Sequence, residues 1–293
     1  MQPAILPTIG TVSANALRGR KPRSSADKEY ALSIPISFIS MFIGVIDGDG
    51  YLAITKAHMK DNISMSLVLA LEGGDRAMLE YFQSVLQIGK IIYFPATNTV
   101  KYIINRTDLQ EILFPLMIHH NIFFLTLTRQ LQYNKALCIL SQSITKFSLI
   151  PSVISYVAWV PVTLSAAQYI SLSFFKDWLV GFTIAEGSFV VKTRGEVTFQ
   201  IRQRVEGHIE LFKAITLLFD TRRTVGLTGN KYLQFSVESV KDIEQVINFF
   251  SFSGLHPLVG LKEASYARWI TQIKGMKRFS SLKLPTSNSH KLN

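Results

Sequence analysis

The chain has 293 residues, 48% of them hydrophobic, enough for the cores of two domains of ordinary size. Thirty-one Lys and Arg face 20 Asp and Glu, giving a pI near 9.7. This balance suits a polyanionic partner, and the excess falls mostly in the second half of the chain. A single cysteine, Cys138, excludes an internal disulfide and reads as a small hydrophobe in the helical stretch KALCIL.

Residues 1–35 are rich in Ser, Pro and Arg, with RGRKPR at 18–23 and no sustained apolar period. They are expected to form a basic, mostly flexible arm. Residues 36–144 read as one unit. ISFISMFIGVI is a helix ending near Gly48, followed by the strands YLAITKAH and ISMSLVLAL. DRAMLEYFQSVLQI is an amphipathic helix, and KIIYFPAT with TVKYIINR is a hairpin turning at Asn98. Asp108 is placed to cap LQEILFPLMIHH, with Pro115 bending that helix, and LTLTRQLQYNKALCIL is the last helix.

Residues 145–172 read as a linker, most of it in the uncharged stretch 148–175. Its length would suit a membrane span, but Pro151, Pro161 and many Ser, Thr and Gln point to a surface connection. Residues 173–293 repeat the first order: the helix FFKDWLVGFTI, strands SFVVKTR and EVTFQIRQR, and the helix HIELFKAITLLF. A hairpin turning at Gly229–Asn230 follows, then the helices VKDIEQVINFFSF and KEASYARWITQI, and a polar tail after about Lys277 expected to fray. The fold class is therefore α+β, an αββαββα unit used twice.

The two units begin alike. In FIGVIDGDG (42–50) and LVGFTIAEG (179–187), Gly44 matches Gly181, Gly48 matches Ala185, Asp49 matches Glu186 and Gly50 matches Gly187. Small residues four apart share one helix face, so two such helices can approach backbone to backbone. Each helix then ends at a glycine just after its acid. Packed together, the helix ends hold Asp49 and Glu186 side by side, and two close carboxylates call for a divalent cation between them. The six histidines are scattered and include only one adjacent pair, His119–His120, so a histidine-based zinc site is not expected.

These nonamers resemble the two signature motifs of a single-chain LAGLIDADG homing endonuclease, over roughly residues 36–144 and 173–280. The resemblance implies two pseudo-symmetric repeats forming a saddle of antiparallel sheets around a central helix pair. It implies a monomer that hydrolyses one phosphodiester in each strand of a long double-stranded DNA target with Mg²⁺, leaving staggered 3′ overhangs. Mn²⁺ or Ca²⁺ could replace Mg²⁺ for binding. Asp49 and Glu186 would be the side-chain metal ligands, joined by the carbonyls of Gly48 and Ala185. The family pattern also places a basic residue late in each repeat. Lys262 fits in GLKEASYARW, and aligning Tyr133 with Tyr266 assigns Arg129 in repeat one. Gln203 matches a polar residue beside the metals, with Ala70 as its apparent counterpart. The sixth signature position is acidic at Asp47 but apolar at Ile184. In the family that residue supports the motif rather than binding metal, so the site is expected to survive, the alternative being a one-sided site that nicks or cuts one strand much faster.

Strand alternation supplies a candidate DNA face. In repeat two Ser188, Val190, Lys192 and Arg194 of one strand, and Thr198, Gln200, Arg202 and Arg204 of the next, would point outward. In repeat one Tyr51, Ala53 and Thr55 would do so, on a much less charged face. Without the paired acids, an ordinary solvated sheet would be the simpler reading. The second functional reading is an RNA maturase of the same fold that binds intron RNA and assists splicing; acids at both signature ends favour the nuclease. No membrane association is expected, and the fungal-organelle introns typical of such proteins imply a mitochondrial location.

Overall fold

The computed structural model describes residues 22–57, 60–152 and 164–285. Two helices, α2 (Ile36–Asp49) and α8 (Phe175–Glu186), pack against each other at its centre. Residues 38–47 of α2 are all buried, as expected of a helix apolar on every side. Each central helix leads directly into a four-stranded antiparallel sheet. The first has the order β1-β2-β4-β3, from Gly50–Lys56, Ile63–Glu72, Lys90–Phe94 and Thr99–Asn105. The second has the order β5-β6-β8-β7, from Gly187–Val191, Val197–Arg204, Gly226–Thr228 and Tyr232–Val237. The two sheets flank the helix pair as a pseudo-symmetric saddle. The register is conserved between repeats: Gly50 pairs with Leu69, and Gly187 with Ile201.

The outer helices are amphipathic and close each sheet from behind. In α3 (Arg76–Leu86) the buried residues Met78, Leu79, Phe82 and Leu86 share one face; α9 (Ile209–Leu218) does the same in repeat two. Further helices are α6 (Leu127–Ser141), α10 (Val240–Ser251) and α11 (Gly260–Lys274). Both expected turns carry the left-handed backbone that Asn and Gly tolerate: φ is 45° at Asn98, 58° at Gly229 and 55° at Asn230.

Several expectations are corrected. The described part of the arm is helical over α1 (Ser25–Ser33), where Ser24 and Asp27 form a capping box, and residues 1–21 lie outside the described residues. It docks through Arg23, whose Nε donates to Asp108 Oδ1 at 2.8 Å, and through Lys28, which pairs with Glu111 at 3.2 Å. Asp108 is consequently no cap. Asn105 caps instead, its Oδ1 accepting from the Thr107 amide at 3.0 Å, which leaves the buried Asp108 carboxylate for Arg23 and the Gly89 amide. The helix beyond starts as α4 (Arg106–Asp108), widens to a π-turn at Leu109–Leu113 and resumes as α5 (Phe114–His119). Pro115 lacks an amide proton and its ring crowds the carbonyl four residues back, which accounts for the wide turn. The linker contains a short helix, α7 (Ala166–Ser171), capped by Ser165, and residues 153–163 lie outside the described residues. Among the described residues no single helix is long and apolar enough to cross a membrane. The tail packs rather than frays as far as it is described: Phe279 is buried, and Leu282 and Leu284 pack on the core.

Candidate functional site

The central crossing is as close as the small residues allow. A Cβ on Gly44 would overlap the Trp178 carbonyl and lie 2.8 Å from the Phe182 amide nitrogen; one on Gly181 would overlap the Met41 carbonyl and lie 2.9 Å from Val45 N. Gly48 sits against the Ala185 methyl and the Glu186 side chain. The glycines that end the helices are not left-handed caps. Gly50 and Gly187 have φ of −88° and −80°, an extended backbone open to any residue. They are glycine because a Cβ would meet the preceding helical turn, at Ile46 and at Thr183.

Asp49 and Glu186 end the two helices, and the Asp49 charge bears on Glu186. Burial, with the Asp49 charge adding, pushes the Glu186 carboxyl up to about 7. The Asp49 carboxyl is also raised, chiefly by desolvation of its inner side although the residue as a whole is exposed; Lys262 and Arg129 oppose the rise and Asp75 adds to it. A cleft of about 370 Å³ opens at this point, with Gly48, Arg129, Glu186, Gln203 and Arg204 in its wall.

Four further side chains bear on the acids. Gln203 Nε2 donates to Glu186 Oε1 at 3.2 Å. Lys262 Nζ donates to the Gly187 carbonyl, and burial lowers its pKa against the pull of Asp49, Asp75 and Glu186. Arg129 Nε donates to the Ile46 carbonyl at 3.3 Å and Nη1 to Gln132 Oε1 at 3.1 Å, while Gln132 Oε1 also accepts from the Leu52 amide. This ties the guanidinium to both the end of α2 and the start of β1. Asp75, which sequence reasoning did not single out, is the fourth. One residue correspondence is corrected: the shared register makes Leu71, not Ala70, the counterpart of Gln203. Repeat one still offers no polar group there.

Asp47 has a separate task. It is fully buried and accepts from the amides of Leu125 (2.7 Å) and Thr126 (3.1 Å), the Thr126 hydroxyl, and Trp178 Nε1 of the other repeat (2.7 Å). Burial raises its pKa to about 6 against these four donors. Under the repeat, Ile184, Val259 and Met41 stand where Asp47, Thr126 and Trp178 do, so the whole polar cluster is replaced by apolar residues in repeat two. Asp47→Ala strands several buried donors at once. The expected cost is on the order of 3 kcal/mol or more, read as a fall in the denaturant midpoint, whereas Ile184→Ala loses packing but strands no donor.

The outward faces follow the alternation with exceptions. Tyr51, Thr55 and Val190 are exposed, Ala53, Ser188 and Gln200 are half-buried, and Arg202 and Arg204 are exposed. The Arg202 guanidinium lies over the Tyr232 ring at 4.3 Å, and Gln200 accepts from Gln234, which in turn accepts from Thr228. Thr198 does not join this face: it is 3% exposed, with its hydroxyl directed to Glu238. Lys192 and Arg194 lie beyond the end of β5, in the turn to β6, and Lys192 is engaged by Glu196 at 2.8 Å and Glu238 at 3.7 Å. Among the described residues no ion pair engages Arg202 or Arg204.

No group of three or more His, Cys, Asp or Glu side chains suited to a metal occurs among the described residues. The donor set at the helix ends is instead two hard carboxylates, each of raised pKa. That set fits a hard divalent cation whose other ligands are carbonyl, water or phosphate oxygens.

A saddle of two sheets around paired helices, each ending in an acid, defines a class of two-repeat proteins in which a single chain carries two half-sites. The sequence model of the LAGLIDADG endonuclease family matches residues 42–139 and 179–273, and the chain belongs to that family. Among solved structures, the fold is similar to the meganuclease I-CpaMI bound to uncleaved DNA, with TM-score 0.60 and 15% identity over 80% of this chain and 90% of that one. It is also similar to the homing endonuclease I-LtrWI bound to target DNA, with TM-score 0.58 and 19% identity over 84% and 95%. For I-AabMI bound to uncleaved DNA the values are 0.56 and 20%, over 82% and 99%.

Proposed function

We propose that the protein is a site-specific endonuclease that works as a monomer, binding a long double-stranded DNA target on its saddle and hydrolysing one phosphodiester in each strand with Mg²⁺. The observation that carries this reading is the convergence of Asp49 and Glu186 at the helix ends, electrostatically coupled and flanked by Arg129, Lys262 and Gln203. The carboxylates, with the Gly48 and Ala185 carbonyls, would hold the cation. When bound, Mg²⁺ supplies a water of lowered pKa and neutralises charge developing on the phosphate. Gln203 orients Glu186 by its hydrogen bond. Arg129 keeps its proton at neutral pH and can stabilise anionic oxygen; Lys262, its pKa lowered by burial, can do this or pass a proton. Selection of cleaved sites from a random DNA library in Mg²⁺, with binding without cutting in Ca²⁺, tests the reading. Recovery of bound intron RNA but no cleaved DNA would overturn it in favour of a maturase.

Arg202 and Arg204, which make no ion pair among the described residues and lie on the same strand as a half-buried Gln200, are proposed to meet DNA; Lys192 and Arg194 could join them only from the turn after β5. Replacing both arginines with alanine should flatten the slope of log K against log salt by roughly 1–2 and weaken binding. An unchanged slope would place DNA elsewhere.

The Glu186 shift has a sign that can be measured. Its folded pKa of about 7 lies above the ordinary glutamate value of 4.5, so the native state binds more protons across that window. The cation-free protein should therefore lose stability as pH rises from about 4.5 to 7. Millimolar Mg²⁺ should raise the melting temperature at about pH 8, where the pair is ionised, and leave it nearly unchanged at about pH 5. Equal Mg²⁺ effects at both pH values would remove Glu186 from the cation site.

A further inference from the structure

Helices α6 and α11 carry Arg129 and Lys262, and neither is capped by the residue before it. Thr126 has committed its hydroxyl to Asp47, and Val259 has no acceptor in its side chain. The reverse oddity occurs at α3 and α9. Asp75 and His208 stand at their N-cap positions, yet neither side chain bonds to its own helix. Each reaches across instead. Asp75 Oδ1 accepts from the Leu261 amide at 2.9 Å, and His208 Nε2 accepts from the Leu127 amide at 3.1 Å.

The two bonds are related by the pseudo-symmetry of the chain. Asp75 and His208 occupy the same place in their repeats, between the second strand and the helix after it. Each serves the first turn of the helix that carries the other repeat's basic residue. Gly260, with φ of +67°, lets the chain enter α11 directly against the Asp75 carboxylate. His208 is 4% exposed, and its Nδ1 lies 2.8 Å from the Arg204 carbonyl. That bond fixes the proton on Nδ1 and leaves the Nε2 lone pair for Leu127. A continuous path therefore runs from Arg204 through His208 and Leu127 to Arg129, from the outward strand of one repeat to the site residue of the other.

We propose that Asp75 and His208 are positioning residues, each setting the basic residue of the opposite repeat: Asp75 holds Lys262, and His208 holds Arg129. The half-sites are then mutually dependent, since neither repeat alone supplies the first-turn acceptor its own final helix needs. This rests on the nuclease reading for its consequence in catalysis, though not for the capping itself.

The test measures cleavage of each strand of a selected target separately, with Lys262→Ala and Arg129→Ala as references. Asp75→Ala should slow the strand that Lys262→Ala slows, and His208→Ala the strand that Arg129→Ala slows, each by about tenfold, with the other strand nearly unaffected. Asp75→Asn and His208→Gln keep an acceptor at the same reach and should restore most of the rate. Equal slowing of both strands, or conservative variants as slow as the alanines, would overturn the proposal. Amide hydrogen exchange gives a readout that needs no cleavage. Asp75→Ala should speed exchange only in the first turn of α11, and His208→Ala only in that of α6; unchanged exchange overturns the capping. A wild type that cuts no DNA while showing this exchange pattern would sink the nuclease reading and leave the cross-repeat capping supported.

Discussion

Asp49→Asn and Glu186→Gln should each abolish double-strand cleavage while leaving affinity for DNA in Ca²⁺ within a few-fold of wild type. Each change keeps the side chain's shape and removes one anionic oxygen donor, which is what a hard cation needs from this site. Stability separates this outcome from misfolding. The Glu186 carboxyl is raised by burial and by the Asp49 charge, so at neutral pH the ionised pair works against the fold. Asp49→Asn should therefore leave the protein as stable as wild type or more so in the absence of cation, and should bring the Glu186 pKa back toward the usual carboxylate range. A variant that is folded, binds DNA and cuts neither strand supports the assignment. Undiminished cutting by both variants would remove the acids from the chemistry. Loss of only one strand's cleavage would show that each acid serves its own half-site.

Features set by short-range pattern were legible in the sequence. The paired nonamers, the αββαββα order and the turns at Asn98 and Gly229–Asn230 all depend on spacing within a few residues. Alternation likewise placed Arg202 and Arg204 outward, while the family resemblance alone put Gln203 beside the acids. What escaped was decided by partners far away in the chain. Asp108 looks like a cap until Arg23, from a segment with no apolar period, claims its carboxylate. Thr198 alternates correctly but is covered by the side chain of Glu238, which no local rule foresees. Asp75 and His208 differ in chemistry, so only the superposed repeats reveal that they share a position. The end glycines were legible as helix ends, but not the reason for them, which is closeness to their own preceding turn.

Gly181→Val should be the most destabilising single change among the signature residues, on the order of 3 kcal/mol or more, or should prevent folding outright. In an isolated helix, replacing glycine with a residue that has a side chain is favourable by up to about 1 kcal/mol, so propensity alone predicts the opposite sign. Packing decides. A Cβ at Gly181 overlaps the Met41 carbonyl and approaches the carbonyl carbon at 2.7 Å and Val45 N at 2.9 Å, all main-chain atoms of a buried helix that cannot rotate aside. The helices must separate or slide. Separation opens voids around Trp178, which is stacked between Phe175 at 5.8 Å and Phe182 at 4.7 Å and bonded to Asp47 across the crossing. Gly181→Ala should show the same effect at smaller size. Gly226→Ala, whose nearest neighbour would be the Gln234 carbonyl at an ordinary 3.6 Å, should change the denaturant midpoint little. Because the same crossing brings Asp49 to Glu186, any Gly181→Ala protein that still folds should lose cleavage more than it loses stability. A Gly181→Ala protein with an unchanged midpoint and full activity would mean that the helices do not meet backbone to backbone.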